Sequence, residues 1–221
     1  MNNSLDDGKT WILSQWYRET WTEDDEWLYG KWRAALHKYC PGVPVLVMDN
    51  GGPNRPPYGD DTEIVAATNM YEHGRGEWGH WVNSWRAPCQ GMEILTQRGA
   101  ECVVFIGQNL LVGTPFIDEC REQLQGVDLL FNYGCMAPNA AFVEYYAANP
   151  QTTAQLFHHD YKHHEGLLEL AFPWWTQLYA LKCRPFPCLH KMRDWPMQAE
   201  DTFAYHVPVE QMRAFCEERG I

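Results

Sequence analysis

Short apolar runs separated by polar, turn-forming stretches dominate the first two-thirds of the chain. Thr10–Gln15 (TWILSQ) predicts a first strand, and Val43–Met48 (VPVLVM) a second. Glu63–Thr68 (EIVAAT), Glu101–Ile106 (ECVVFI) and Val127–Asn132 (VDLLFN) predict three more. Between them lie segments with helical spacing. In Asp24–Tyr39, Trp27, Leu28, Trp32, Ala35 and Leu36 fall on one helical face, and the acidic cluster EDDE opens the segment, where it favours the helix dipole. A second helix is predicted from about residue 81 to 97, kinked or broken at Pro88, and a third over Pro115–Gln125. The last third is less regular. Phe142–Ala148 and Val207–Arg219 predict helices there, and Phe172 to Trp195 is rich in Trp, Pro and Cys.

Short strands alternating with helices predict an α/β sandwich around a mostly parallel sheet. In such sheets ligands collect beyond the carboxyl ends of the strands, where loops and helix N-termini converge. The polar residues at the predicted exits are Ser14-Gln15-Trp16-Tyr17, Asp49-Asn50, Asn69, Gln108-Asn109 and Asn132. Amides and an aromatic ring suit a nucleobase, and a carboxylate suits a ring N–H or ribose hydroxyls. The stretch VVFIGQNLLV, residues 103–112, is the sharpest case. Its polar triplet, Gly107-Gln108-Asn109, interrupts an otherwise apolar run, so the chain either leaves the strand there or meets something polar.

Composition narrows the classes. Of 221 residues, 45% are hydrophobic and 14% aromatic, which describes a folded core rather than a disordered chain. A formal charge of −12 argues against nucleic acid or an anionic membrane as the main partner. The eight cysteines are scattered with no CxxC pair, which fits reduced thiols in a cytoplasmic protein better than a disulfide framework. The polar start MNNSLDDGK does not read as a signal peptide, and no apolar run reaches the roughly 20 residues of a membrane span. There is no GxxxxGK[ST] phosphate loop, no GxGxxG after a strand and no GxSxG elbow.

The layout resembles glycosyltransferases of the GT-A type, which use nucleotide-diphospho-sugars. VPVLVMDNGGP (43–53) is similar to the family's second strand, and WVNSWRAPCQGMEILTQRGAECVVFIGQNLL (81–111) to the helix and strand that deliver its acidic DxD motif. EDTFAYHVPVEQMRAF (200–215) resembles the C-terminal segment in which a His completes the metal site. The resemblance implies one GT-A-like domain over 1–221: a nucleotide-binding half, 1–112, and an acceptor-binding half, 113–221. Its fold would be a three-layer α/β sandwich with a mostly parallel central sheet and an irregular acceptor part. It implies a glycosyltransferase moving a sugar from a nucleotide-sugar donor to an acceptor hydroxyl on a glycan, protein or small molecule. Ser14, Trp16, Asp49, Asn69, Arg86, Gln108 and Asn109 would hold the donor, and Asn109 and His206 would face a metal. An inverting reaction needs a general base, for which Asp201 comes first and Glu165 second.

The family's Mn²⁺ or Mg²⁺ bridges the diphosphate through two carboxylates. Gly107 and Asn109 stand at those positions here, a degenerate DxD. Arg75 and Arg86 are the cations available to neutralise the leaving group instead. A relative that has lost catalysis and only binds a nucleotide or glycan is the alternative. A third reading starts from His158–Glu165, where His159 and His163 lie four apart and could chelate zinc, with Glu165 as base. The stretch is not HExxH, and a loop lining the acceptor pocket accounts for it more simply.

Overall fold

The computed structural model describes residues 8–16, 20–51, 54, 62–66, 79–108, 110–132, 145–157, 168–187, 190–191, 203–205 and 209–221. In chain order the elements are β1 (Thr10–Trp16), α1 (Glu23–Tyr39), β2 (Val45–Asp49), β3 (Thr62–Ala66), α2 (Gly79–Gln97), β4 (Cys102–Ile106), β5 (Leu110–Val112) and α3 (Ile117–Gln123). There follow β6 (Leu129–Leu130), β7 (Tyr145–Ala148), α4 (Ala154–Phe157), α5 (Leu168–Leu178), β8 (Cys183–Arg184), β9 (His190–Lys191), β10 (Phe203–Tyr205) and α6 (Val209–Arg219).

The main sheet has seven strands in the order β3-β2-β1-β4-β7-β6-β8. Only β7 runs against the others, pairing antiparallel with β4 on one side and β6 on the other. This is an α/β fold on a mostly parallel sheet. A small second sheet, β5-β10-β9, stands beside it.

Alternation along the strands builds the layers. Ile12, Val45, Val47, Val104, Ile106, Tyr145 and Ala147 point to one face and pack with α1, α3 and α6. Leu13, Leu46, Met48, Val103, Phe105, Tyr146 and Ala148 point to the other and pack with α2, α4 and α5. Burying each large side chain contributes roughly 1.5–3 kcal/mol, so a sheet covered on both faces needs near-continuous apolar strands. VLVMD in β2 and CVVFI in β4 are buried at every position.

α1 begins where the sequence marks it. Thr22 and Asp25 form a capping box, with Thr22 Oγ1 accepting from the Asp25 N–H at 3.2 Å and Asp25 Oδ2 accepting from the Thr22 N–H at 3.0 Å. On its flank α1 receives the end of α6. Lys31 Nζ donates to the Ile221 carbonyl at 2.7 Å, Tyr39 Oη to that of Arg219 at 3.2 Å, and Lys38 also binds the Arg219 carbonyl. Cations at a helix C-terminus offset its negative dipole end.

Two expectations change, at Phe142–Ala148 and at Pro88. Phe142–Ala148 reads as a helix, but Tyr145–Ala148 is strand β7, reversed in the middle of the sheet. Its aromatic and small residues alternate between two cores, a placement only the neighbouring strands dictate. Residues 168–178 form a helix despite Pro173. The helix over 79–97 likewise runs unbroken through Pro88, which is buried. The strand expected over 101–106 does end at Ile106, and at the polar triplet the chain leaves it: the Leu110 N–H bonds the Gly107 carbonyl at 3.0 Å, and the chain enters the second sheet as β5.

Candidate functional site

The chain builds β1, β2 and β3 outward in one direction, then returns through α2 to place β4 on the other side of β1. α1 and α2 consequently cover opposite faces, and the strand order reverses between β1 and β4. A crevice forms at such a point because the loops leaving the two strands diverge. The residues at this edge are Trp16 from β1, Asp49 from β2 and Gly107-Gln108 after β4. Trp16 and Asp49 are register partners. On the other side of β1, Leu13 pairs with Phe105, and β4 ends one residue further on, at Ile106, so Gln108 follows the exit of that strand.

Asp49 closes the turn that follows β2. Its Oδ1 accepts the Gly51 N–H at 2.8 Å, and Gly51 turns the chain at a φ of 77° that favours glycine. Trp16 is 1% exposed, and its ring lies edge-on to Tyr29 at 4.9 Å and tilted against Trp21 at 5.3 Å. Its indole Nε1 donates to the Asn54 carbonyl at 2.7 Å, while its own carbonyl accepts the Asn50 N–H at 2.9 Å. Trp16 therefore ties both Asn50 and Asn54 to β1. Ser14 lies two residues deeper on the same face, fully buried, with no hydrogen-bond partner for Oγ.

Gln108 sits half-buried on the turn between the two sheets. Its Oε1 is closed off from solvent and receives no hydrogen bond. A buried acceptor without a donor costs about 1–3 kcal/mol, so such a group calls for an explanation. Arg86 stands half-buried on α2, whose first residues begin at this same edge.

Other polar exits serve the fold. Asn132, beyond β6, donates from Nδ2 to the Phe186 carbonyl at 3.2 Å and accepts the Phe186 N–H on Oδ1 at 3.0 Å. Asn50 Nδ2 approaches Gln15 Oε1 at 3.4 Å. Ser14, Trp16 and Asp49 thus lie on the adjacent strands β1 and β2, and Gln108 follows the end of β4, the other neighbour of β1. Asn69, Asn109, Glu165, Asp201 and His206, with Arg75 and the His158–Glu165 stretch, lie outside the described residues.

Sequence reasoning missed Tyr145 and Tyr146, which flank β4 at this edge because β7 is inserted there: Tyr145 pairs with Ile106 and Tyr146 with Phe105. Tyr146 stacks on Phe105 at 5.0 Å, and burial holds its phenol well above the usual tyrosine range. No spacing in the sequence announces an antiparallel insertion, though two adjacent tyrosines are more common in strands than in helices.

A hard divalent cation asks for several oxygen ligands, carboxylates among them. At the exit of β4 the described residues offer a glycine and a neutral amide, which do not fit that demand. Among the described residues no group of three or more His, Cys, Asp or Glu could hold a metal ion. Nor is any helix among them long and apolar enough to cross a membrane.

No protein-family model matches this chain, and no curated protein sequence matches it. Solved structures do. A protein of Desulfovibrio desulfuricans G20, assigned by its description to the nucleotide-diphospho-sugar transferases, superposes with a TM-score of 0.54 at 10% identity, over 80% of this chain and 79% of that one. The bifunctional IspDF of Campylobacter jejuni superposes at 0.51 and 8% identity over 80% of this chain, which spans 48% of that protein. The chain shares the fold of these nucleotide-diphospho-sugar transferase-like proteins.

Proposed function

We propose that this protein is a glycosyltransferase of the GT-A type, taking a nucleotide-sugar donor in the crevice between β1 and β4. The supporting observation is the reversal of strand order between β1 and β4, with Asp49 at the end of β2 and Gln108 just beyond β4, in a fold shared with a nucleotide-diphospho-sugar transferase-like protein. Asp49 is the group for the base or ribose of the donor, with Trp16 and Ser14 supporting it from beneath. Residues 1–112 carry the donor and residues 113–221 the acceptor, which the −12 charge argues is not itself strongly anionic. Buried thiols at Cys40, Cys102, Cys120 and Cys216 suit a reducing compartment such as the cytoplasm.

In an inverting transfer, a carboxylate takes the proton of the acceptor hydroxyl as its oxygen attacks the anomeric carbon. The bond from that carbon to the diphosphate breaks, and the nucleoside diphosphate leaves with the electron pair. Asp201 is the first residue for the proton and Glu165 the second. Asp201→Asn should abolish transfer and spare donor binding; full turnover in that variant removes Asp201 from the role.

The reading is tested by calorimetric titration with the common nucleotide sugars. Saturable heat with at least one donor is expected, and silence with all of them sinks the proposal. The second reading, a relative that binds the donor without transferring it, draws on Gly107 in place of a carboxylate. Donor binding without any release of nucleoside diphosphate would favour it.

A further inference from the structure

The amide of Gln108 has two unlike ends. Oε1 faces inward, buried and without a donor. Nε2 is not among the buried atoms lacking a partner, and the Gln108 side chain makes no hydrogen bond among the described residues, so the nitrogen is the end that meets solvent. A carboxylate at a strand exit presents lone pairs, which gather a cation. Gln108 instead presents two hydrogens, which gather an anion. Beside it, Gly107 adds no side chain and Asp49 has already committed Oδ1 to the Gly51 N–H.

We propose that the exit of β4 binds the donor's diphosphate directly, through the N–H groups of Gln108, with no divalent cation bridging it. This rests on the reading of the donor as a nucleotide diphosphate. The disagreement between this donor set and a metal bridge is its physical ground: a neutral amide holds Mg²⁺ or Mn²⁺ poorly, whereas an N–H to a phosphate oxygen is a charge-assisted hydrogen bond.

The test is calorimetry on the full chain with uridine, guanosine and adenosine diphosphates and the matching nucleosides, once in EDTA and once in excess Mn²⁺. The diphosphate that binds should do so with affinities agreeing within about threefold in the two conditions. Gln108→Glu, nearly identical in shape, should weaken that diphosphate by about tenfold or more in EDTA, leave the nucleoside unchanged, and recover when Mn²⁺ is supplied. Gln108→Ala removes the donor without adding charge and should show a smaller loss confined to the diphosphate. It carries the test if the Glu variant melts early. Wild-type binding that appears only with Mn²⁺ overturns the proposal while leaving the nucleotide reading intact, as does a diphosphate affinity indifferent to both variants. No binding of any diphosphate in either condition overturns the nucleotide reading itself, and this proposal with it.

Discussion

Trp16 and Asp49 face one another as the last paired residues of β1 and β2, one holding the Asn54 carbonyl through its indole and the other the Gly51 N–H through its carboxylate. The two anchors act on the same short stretch from adjacent strands. Asp49→Asn keeps an acceptor for the Gly51 N–H but removes the negative charge. Thermal stability should change little, whereas nucleotide affinity should fall by about tenfold if the carboxylate meets a ring N–H or ribose hydroxyl. Trp16→Phe is the complementary variant. It keeps ring packing on Tyr29 and loses the bond to the Asn54 carbonyl, costing about 1 kcal/mol in chemical unfolding. An Asp49→Asn protein that binds every nucleotide as well as wild type removes Asp49 from the site.

A second prediction concerns the strut behind the polar turn. β5 leaves that turn and ends beside Gly113, against which α6 is packed closely. A Cβ built on Gly113 would lie 2.3 Å from Phe215 Cζ and 2.5 Å from Arg219 Nε. The arginine can swing away, but Phe215 is 1% exposed and has nowhere to go. Gly113→Ala should therefore destabilise the protein by about 1–3 kcal/mol, read from urea unfolding. An unchanged unfolding midpoint would show that α6 is more loosely seated than its contacts indicate.

How much of this was legible beforehand depends on where each signal lives. Strands such as VLVMD and CVVFI are announced by their own apolar runs, and α1 by its acidic start and its spacing, so the nucleotide-side half of the sheet follows from local pattern. Tyr145–Ala148 could not be placed that way, because it is a strand only by virtue of pairing with β4 and β6, distant in sequence. Pro88 and Pro173 mislead for a related reason. Proline costs a helix one N–H bond locally, and packing of Trp85, Ala87, Phe172 and Trp175 into the aromatic core beneath offsets that cost. The polar triplet raised the right question, and half of its answer lies in topology: the chain turns there because it changes sheets. The strand exits at Asp49 and Gln108 were readable as polar ends of apolar runs. That Asn132 is spent on the Phe186 backbone was not readable, since nothing in VDLLFN points to residue 186.

The Glu63–Arg98 pair gives a pH-dependent expectation at the sheet edge. Arg98 grips Glu63 in a two-pronged contact at 2.6 and 2.8 Å, and also lies over the Trp11 ring at 5.2 Å. The hydrogen bond from Arg98 holds the Glu63 carboxyl below its ordinary value of 4.5. A lowered pKa means the folded state gives up this proton more readily than the unfolded chain. The contribution is thus complete above pH 4.5 and fades as pH falls through the lower folded value. Both side chains are more than a third exposed, so screening limits the pair to about 1 kcal/mol or less. The difference in unfolding free energy between wild type and Glu63→Gln should be small at pH 7 and shrink toward zero near pH 3. A difference that grows on acidification would contradict the assignment.

At the alkaline end the buried thiols control the response. Burial pushes Cys40 and Cys102 up from 9.0 to about 12. Both lie in the core on the α1 side of the sheet, where a thiolate would lose its hydration, a cost that the charge of Arg121 offsets only in part at Cys102. Between pH 9 and 12 the folded protein keeps these protons and the unfolded chain releases them, so each upward step in pH favours unfolding. Stability should be flat with respect to these groups below pH 9 and decline above it, by at most about 1.4 kcal/mol per pH unit for each thiol. Tyr146, held above its ordinary 10.0 by burial, adds to the decline only at higher pH, so the interval from 9 to 10 reports on the thiols. Cys183, pushed up to about 11, and Cys216, also raised by burial, contribute there as well. Urea unfolding under reducing conditions at pH 8, 9 and 10 measures the slope. Cys40→Ala with Cys102→Ala lowers stability at every pH through the lost packing, and should also remove about half of the decline between 9 and 10, leaving the share of Cys183 and Cys216. A double variant that declines as steeply as wild type would place the alkaline sensitivity elsewhere in the molecule.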